Sequence, residues 1–140
     1  MVIDRMVEEH KDKSSLQWQQ MNATALDFPD ETFDVIIAKG TVDAILCGEG
    51  STANIAKLCS EASRVLKPNG CFFIVSFGVP DNRLHFLAKE EAYSWTVATH
   101  TVPKPTVSAL AVPSTDDTGG VHYIYVCSKG GPAEEIVVKA

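Results

Sequence analysis

The sequence predicts an α/β fold, a mostly parallel sheet with an antiparallel pair at one edge. Three observations carry that expectation. Val35, Ile36 and Ile37 form an uninterrupted β-branched run that stops at Gly40, the pattern of a central parallel strand covered on both faces. A stripe at helical spacing follows, with Ile55, Leu58, Ala62, Val65 and Leu66 on one side, and it stops at Lys67-Pro68-Asn69-Gly70. A second apolar run, CFFIVSF over residues 71–77, comes next. Strand, helix and strand in this order make a right-handed βαβ unit with its two strands parallel.

The other elements follow in order. Residues 1–13 read as a helix, with Val2, Ile3, Met6 and Val7 on one face and mostly charges elsewhere. Leu16, Trp18 and Gln20 alternate with Gln17, Gln19 and Met21, which predicts a half-buried strand over residues 16–21 near a sheet edge. Asp27-Phe28-Pro29-Asp30 is a turn, because proline opposes helix there. After the central strand, residues 41–46 make a short helical turn and Cys47-Gly48-Glu49-Gly50 a loop. Ser51 or Thr52 can cap the helix that runs to about Leu66. In its stop signal the glycine tolerates a positive φ. Residues 81–93 read as a weaker helix carrying Leu84, Phe86 and Leu87. Residues 95–102 alternate as a strand, which residues 107–112 resume beyond Pro103 and Pro105. Residues 113–120 are a polar loop and 121–127, VHYIYVC, a strand, so the sheet is expected to end in an antiparallel hairpin. Ile136-Val137-Val138 offer one more short strand within a tail over residues 132–140.

Composition excludes several classes of function. A chain of 140 residues is long enough for one domain with a core of its own. The net charge of −6 argues against a nucleic-acid partner held by a broad basic surface. Cys47, Cys59, Cys71 and Cys127 contain no CxxC pair, so buried free thiols in a reducing compartment are expected instead of a zinc or redox motif. His10, His85, His100 and His122 lack metal-ligand spacing, and no metal site is expected. No apolar run approaches the roughly 20 residues that cross a bilayer, and the first residues lack the apolar core of a signal peptide. The expectation is a cytoplasmic protein without a membrane partner. Tyr93, Trp95, Tyr123 and Tyr125 are open to two roles, a substrate groove or the core, and core is the commoner one. Asp116-Asp117 suits either a basic partner or a solvated loop.

Four stretches carry a resemblance: MNATALDFPDETFDVIIAKGTVDAIL, SRVLKPNG, AYSWTVATHTV and HYIYVCSKGG. Together they resemble the class I S-adenosylmethionine-dependent methyltransferases. The likeness is closest to the small eukaryotic enzymes that modify lysines of translation elongation factor one-alpha, and to related methyltransferase-like proteins. KGTVDA after a buried strand is the most specific part, whereas LKPNG is common to many class I methyltransferases. The resemblance implies a Rossmann-like methyltransferase sheet over residues 1–131 and S-adenosyl-L-methionine as cofactor. It also implies site residues. Asn22 stands where a side chain meets the adenine amino group, and Ala23 where a backbone N–H meets the adenine ring. Lys39 resembles the lysine beside the cofactor, and Asp43 the acidic residue that helps shape the substrate entrance.

The chain also departs from that family. Asn22 replaces the usual Asp, although an Asn carbonyl oxygen can still accept a hydrogen bond. Ala38 replaces an acidic residue that could position a lysine amine or take its proton. No residue is assigned as catalytic. No GxGxxG-like segment occurs, and the family's first two strands would precede Met1. The chain therefore reads as an incomplete, carboxyl-terminal portion of a methyltransferase domain. Three functions follow: a lysine-directed protein methyltransferase or part of one, a catalytically silent methyltransferase-like module that binds a protein, and an unrelated α/β domain. Strand edges left unpaired by the missing strands also suggest self-association.

Overall fold

A computed structural model of the chain describes residues 2–103 and 120–130. The expected strands at 107–112 and 136–138, the loop up to residue 119 with Asp116-Asp117, and the tail at 132–140 lie outside those residues.

Helix α1 (Val2–Glu9) comes first, shorter than the helix predicted over residues 1–13. Its apolar side is only half covered, since Val2 and Val7 stay exposed. Strand β1 (Phe33–Lys39), helix α2 (Thr41–Leu46), helix α3 (Ser51–Val65) and strand β2 (Leu66–Ser76) then form the βαβ unit. β1 and β2 are parallel, in register from Val35 opposite Cys71 to Lys39 opposite Val75. Strands β3 (Trp95–Pro103) and β4 (Val121–Lys129) complete a four-stranded sheet in the order β1-β2-β4-β3. β4 is antiparallel to both β2 and β3. The predicted α/β class and the antiparallel hairpin are therefore present. The described sheet is mixed, with one parallel pair, where the sequence reads as mostly parallel.

One face of this sheet holds the core. Side chains alternate across a strand, so Ile36 and Ala38 of β1 face the same way as Phe72 and Ile74 of β2. They join Tyr125 and Cys127 of β4, and Trp95 and Val97 of β3, in one cluster. The stripe Ile55, Leu58, Cys59, Ala62 and Val65 of α3 is buried with them. Tyr93, Trp95 and Tyr125 belong to this core, and Tyr123 packs at its margin. Burial pushes the Cys59 thiol up to about 12 and that of Cys127 further, so both stay protonated near neutrality. All four cysteines are free, and Cys47 alone among them is exposed.

Five expectations need correction. Among the described residues β1 is an edge strand, not a central one, and β2 takes the inner position. Val35 and Ile37 on its other face are 51% and 72% exposed, because no described element packs there. Residues 16–21 form no strand. Alternation creates a strand only where a neighbour accepts its ladder, and among the described residues β1 pairs with β2 alone. The α3 N-terminus is Gly50 at φ 66 with no side-chain cap, so neither Ser51 nor Thr52 serves. The helix predicted over 81–93 is broken into a 3-10 turn (Pro80–Asn82), α4 (Leu84–Leu87) and α5 (Glu90–Tyr93). Trp95 Nε1 donates to the Leu87 carbonyl at 2.8 Å, and the Lys89 backbone N–H does so at 3.0 Å. That acceptor is thereby withdrawn from a continuous ladder.

The fifth correction concerns the stop after α3. Asn69, not Gly70, takes the left-handed conformation, at φ 67. β1 advances from Phe33 to Val35 while β2 advances from Leu66 to Cys71, so Lys67-Pro68-Asn69-Gly70 bulges out of the ladder. A Cβ on Gly70 would meet the Lys67 and Asp34 carbonyl oxygens at 2.8 and 2.9 Å. Backbone, not a flexible side chain, closes that space. Gly70→Ala should therefore lower stability by about 1–3 kcal/mol. Asn69→Gly, which keeps an accessible left-handed backbone, should stay within about 1 kcal/mol of wild type. Urea midpoints of the two variants test this, and a Gly70→Ala midpoint equal to wild type would refute it.

Candidate functional site

In open α/β sheets, ligands bind beyond the carboxyl ends of the strands. β1 ends at Lys39, and Gly40 at φ 71 turns the chain into α2. Beside that turn lies an open cleft of about 510 Å³. Its lining includes Asn22, Ala23 and Thr24 from the amino-terminal segment, Thr41 and Ala44 from α2, and Glu49 from the α2–α3 loop. Asn22 Oδ1 accepts the Thr24 backbone N–H at 2.9 Å and the Thr24 hydroxyl at 2.7 Å. This local turn sets the shape of one wall.

That wall is held by a charged clip on α3. Arg64 donates to Glu61 through Nε and Nη2, both at 2.9 Å. It also donates to the Phe28 carbonyl at 2.7 Å, Asp30 at 2.9 Å and the Leu26 carbonyl at 3.0 Å. Glu61 in turn accepts the Leu26 backbone N–H at 2.7 Å. Hydrogen bonding from the Arg64 side chain is the main reason the Glu61 carboxyl titrates below its usual 4.5. Hydrogen bonding to Glu61, then to Asp30, raises the Arg64 guanidinium.

A second polar cluster lies under the turn between β1 and α2. Asp43, 3% exposed, accepts from the Ser76 hydroxyl. It also accepts from Arg83 Nη2 at 3.1 Å and from the Phe77 backbone N–H at 3.2 Å. Arg83 Nε and the Gly78 N–H both donate to the Ser76 oxygen, at 3.3 and 3.0 Å. Tyr125 donates its phenol to the Gly78 carbonyl at 2.6 Å. A Cβ on Gly78 would lie 2.2 Å from the Arg83 guanidinium carbon, so glycine there lets the guanidinium lie against the backbone. The cluster ties α2 to the loop that leaves β2.

The four site residues named from the resemblance thus stand in different places. Asn22 and Ala23 line the cleft together. Lys39 is exposed at the end of β1, outside that lining, and Asp43 is buried within the second cluster. Sequence reasoning missed Thr24, Glu61, Arg64, Ser76 and Arg83. The Asn22-x-Thr24 spacing is a turn signal that points to Thr24. The Glu61–Arg64 spacing is local, but nothing local marks the Arg64 bonds to Leu26, Phe28 and Asp30 or the Arg83 bond to Asp43, whose partners are 34 to 40 residues away.

The helix-covered βαβ unit and the cleft beyond the end of β1 fit a Rossmann-like α/β domain. A family model described as a methyltransferase domain matches residues 2–74, more than half of the chain, and the chain belongs to that family. EEF1A lysine methyltransferase 4 of Mus musculus is 34% identical over 105 residues, 69% of this chain and 41% of that protein. The eEF1A lysine and N-terminal methyltransferase of the same species is 30% identical over 109 residues, 73% of this chain and 15% of that protein. The chain therefore spans at most about two-fifths of these two relatives. Among solved structures, a SAM-dependent methyltransferase of Methanosarcina mazei superposes with a TM-score of 0.58 at 15% identity, over 89% of this chain and 76% of that one. The YcgJ protein of Bacillus subtilis gives 0.57 at 18% identity, over 92% and 77%. At these identities the superpositions show the fold alone.

Two outcomes test the polar clusters. Asp43→Asn or Arg83→Met leaves one buried partner unpaired and should cost about 3–5 kcal/mol. The double variant should cost less than the sum, and strictly additive losses would disprove the pairing. Glu61, with its folded pKa below 4.5, contributes stability that is present above 4.5 and lost as pH falls through the folded value. Thermal midpoints between pH 6 and pH 3 should fall less for Glu61→Gln than for wild type, and parallel falls would exclude the clip.

Proposed function

We propose that this chain binds S-adenosyl-L-methionine in the cleft at Asn22 and Ala23, as part of a protein-lysine methyltransferase directed at translation elongation factor one-alpha. The observation that carries this reading is the cleft itself. It lies beyond the carboxyl end of β1 in a chain of the methyltransferase family, and its volume of about 510 Å³ suits a small-molecule ligand. The residues present fit one end of the cofactor. No described residue accepts the Ala23 backbone N–H, which leaves it as a donor to an adenine ring. Asn22 lies next to it, and Thr41 and Ala44 supply the other wall. When bound, the cofactor supplies an electrophilic methyl group on sulfur.

The remaining roles belong to this chain's own residues. Lys39, exposed at the end of β1, stands beside the cofactor. Asp43 shapes the substrate entrance indirectly, by fixing the loop after β2 through Ser76, Phe77 and Arg83. Ala38 is buried and has no group that takes a proton from a lysine amine. Transfer then rests on placing a neutral nitrogen in line with the methyl group. The net charge of −6 favours a basic protein substrate over a nucleic acid. A substrate of the translation machinery places the activity in the cytoplasm.

A second reading has its own observation. The open edge of β1, with Val35 and Ile37 exposed, favours a methyltransferase-like module that binds a protein or a second copy of itself along that strand. Isothermal titration of the chain with S-adenosylmethionine and S-adenosylhomocysteine separates the two. Micromolar binding that Ala44→Trp abolishes by filling the cleft, and that Lys39→Ala weakens, supports the enzyme reading. Absence of binding up to millimolar cofactor, with light scattering that shows association lost in Ile37→Lys, supports the module.

A further inference from the structure

The polarity of the cleft wall is fixed more tightly than the residue type at position 22 implies. A carboxamide has one oxygen with two lone pairs and one NH2 with two donors. At Asn22 the oxygen already accepts two hydrogen bonds, from the Thr24 N–H at 2.9 Å and the Thr24 hydroxyl at 2.7 Å. The amide cannot be turned over, because the NH2 would then face the Thr24 N–H, donor against donor. Both lone pairs are in use, and the polar group left to the cleft is Nδ2. The neighbouring Ala23 N–H is a second donor that no described residue accepts. Asn22 is exposed, Ala23 is half-buried, and both are in the cleft lining.

We infer that the Asn22 side chain and the Ala23 backbone N–H offer the cleft donors and not acceptors, and that Asn22 sets the base specificity of the cleft. A purine is held there through its ring-nitrogen acceptors, and an exocyclic amino group finds no acceptor at position 22. This deepens the cofactor reading above and rests on it. A carboxylate at the same position reverses the polarity. It offers about four lone-pair sites on two oxygens. One oxygen keeps both Thr24 bonds, and the other faces the cleft as an acceptor for an amino group. Position 22 of the chain as it stands therefore reads the purine ring and not its 6-substituent.

The test compares S-adenosylhomocysteine with its analogue carrying hydrogen in place of the 6-amino group, titrated into wild type and Asn22→Asp. Asn22 is exposed, and Asn22→Asp keeps an oxygen for Thr24, so the variant retains the fold. Wild type is expected to bind both ligands within about twofold, and Asn22→Asp to favour the amino ligand by about tenfold, as one hydrogen bond to a charged acceptor supplies. A wild type that already prefers the amino ligand tenfold, or an unchanged ratio in Asn22→Asp, overturns the inference while leaving the cofactor reading intact. Failure of both ligands to bind either protein removes the cofactor reading and this inference with it.

Discussion

Arg64 is the residue on which the amino-terminal quarter of the chain depends. Residues 16–21 belong to no strand, so they gain no ladder hydrogen bonds from the sheet. The largest share of the hydrogen bonds that attach the following segment comes from one guanidinium. All five of its N–H donors are engaged, two by Glu61 and three by Leu26, Phe28 and Asp30. The Glu31 and Thr32 N–H groups add bonds to the Arg64 and Val65 carbonyls at the same helix end. A lysine offers three donors from one point and cannot span carbonyls separated along a turn. The cleft wall at Asn22 and Ala23 is therefore positioned by hydrogen bonds from α3, through Leu26, and by the packing of Ala23 against the core.

The second fixed point lies on the other side of α2. The Asp43 carboxylate is nearly inaccessible, and among the described residues the donors that reach it come from the end of β2 and the loop after it. A buried charge of this kind is tolerated because it is paired and hydrogen-bonded. Its effect is geometric. α2 starts at Thr41, two residues from Asp43, so holding Asp43 also holds the Thr41 and Ala44 side of the cleft. The cleft thus lies between two charged clusters, one on each wall, and neither cluster lines it.

This arrangement explains what could be read from the sequence. The βαβ unit, the α2 turn and the hairpin were legible because each is written in local periodicity and bounded by Gly or Pro. Val35 and Ile37 were misjudged for a physical reason. A continuous apolar run shows that a strand can be covered on both faces, not that anything covers it. The helix over 81–93 failed because Trp95 and Arg83 draw its backbone and side chains to distant partners, and long-range contacts override weak propensity. Asn22 and Ala23 were placed in the cleft by resemblance, but the orientation of the Asn22 amide was not legible. It follows from Thr24, two residues on, whose bonds form only once the turn exists.

Strand parity links the cleft to the open side of the sheet. Ile36 and Ala38 of β1 point into the core, so Val35, Ile37 and Lys39 share the opposite face. Lys39 therefore belongs to the same surface as the exposed apolar pair, while Asn22, Ala23 and Thr41 belong to the cleft. A chain laid along β1 would bury Val35 and Ile37 and meet Lys39 in the same step. It would satisfy the unpaired backbone edge and complete the surroundings of the one cationic residue that the methyltransferase resemblance places near the cofactor. Association along β1 and binding at the cleft would use different surfaces of the fold, since no residue of β1 lines the cleft.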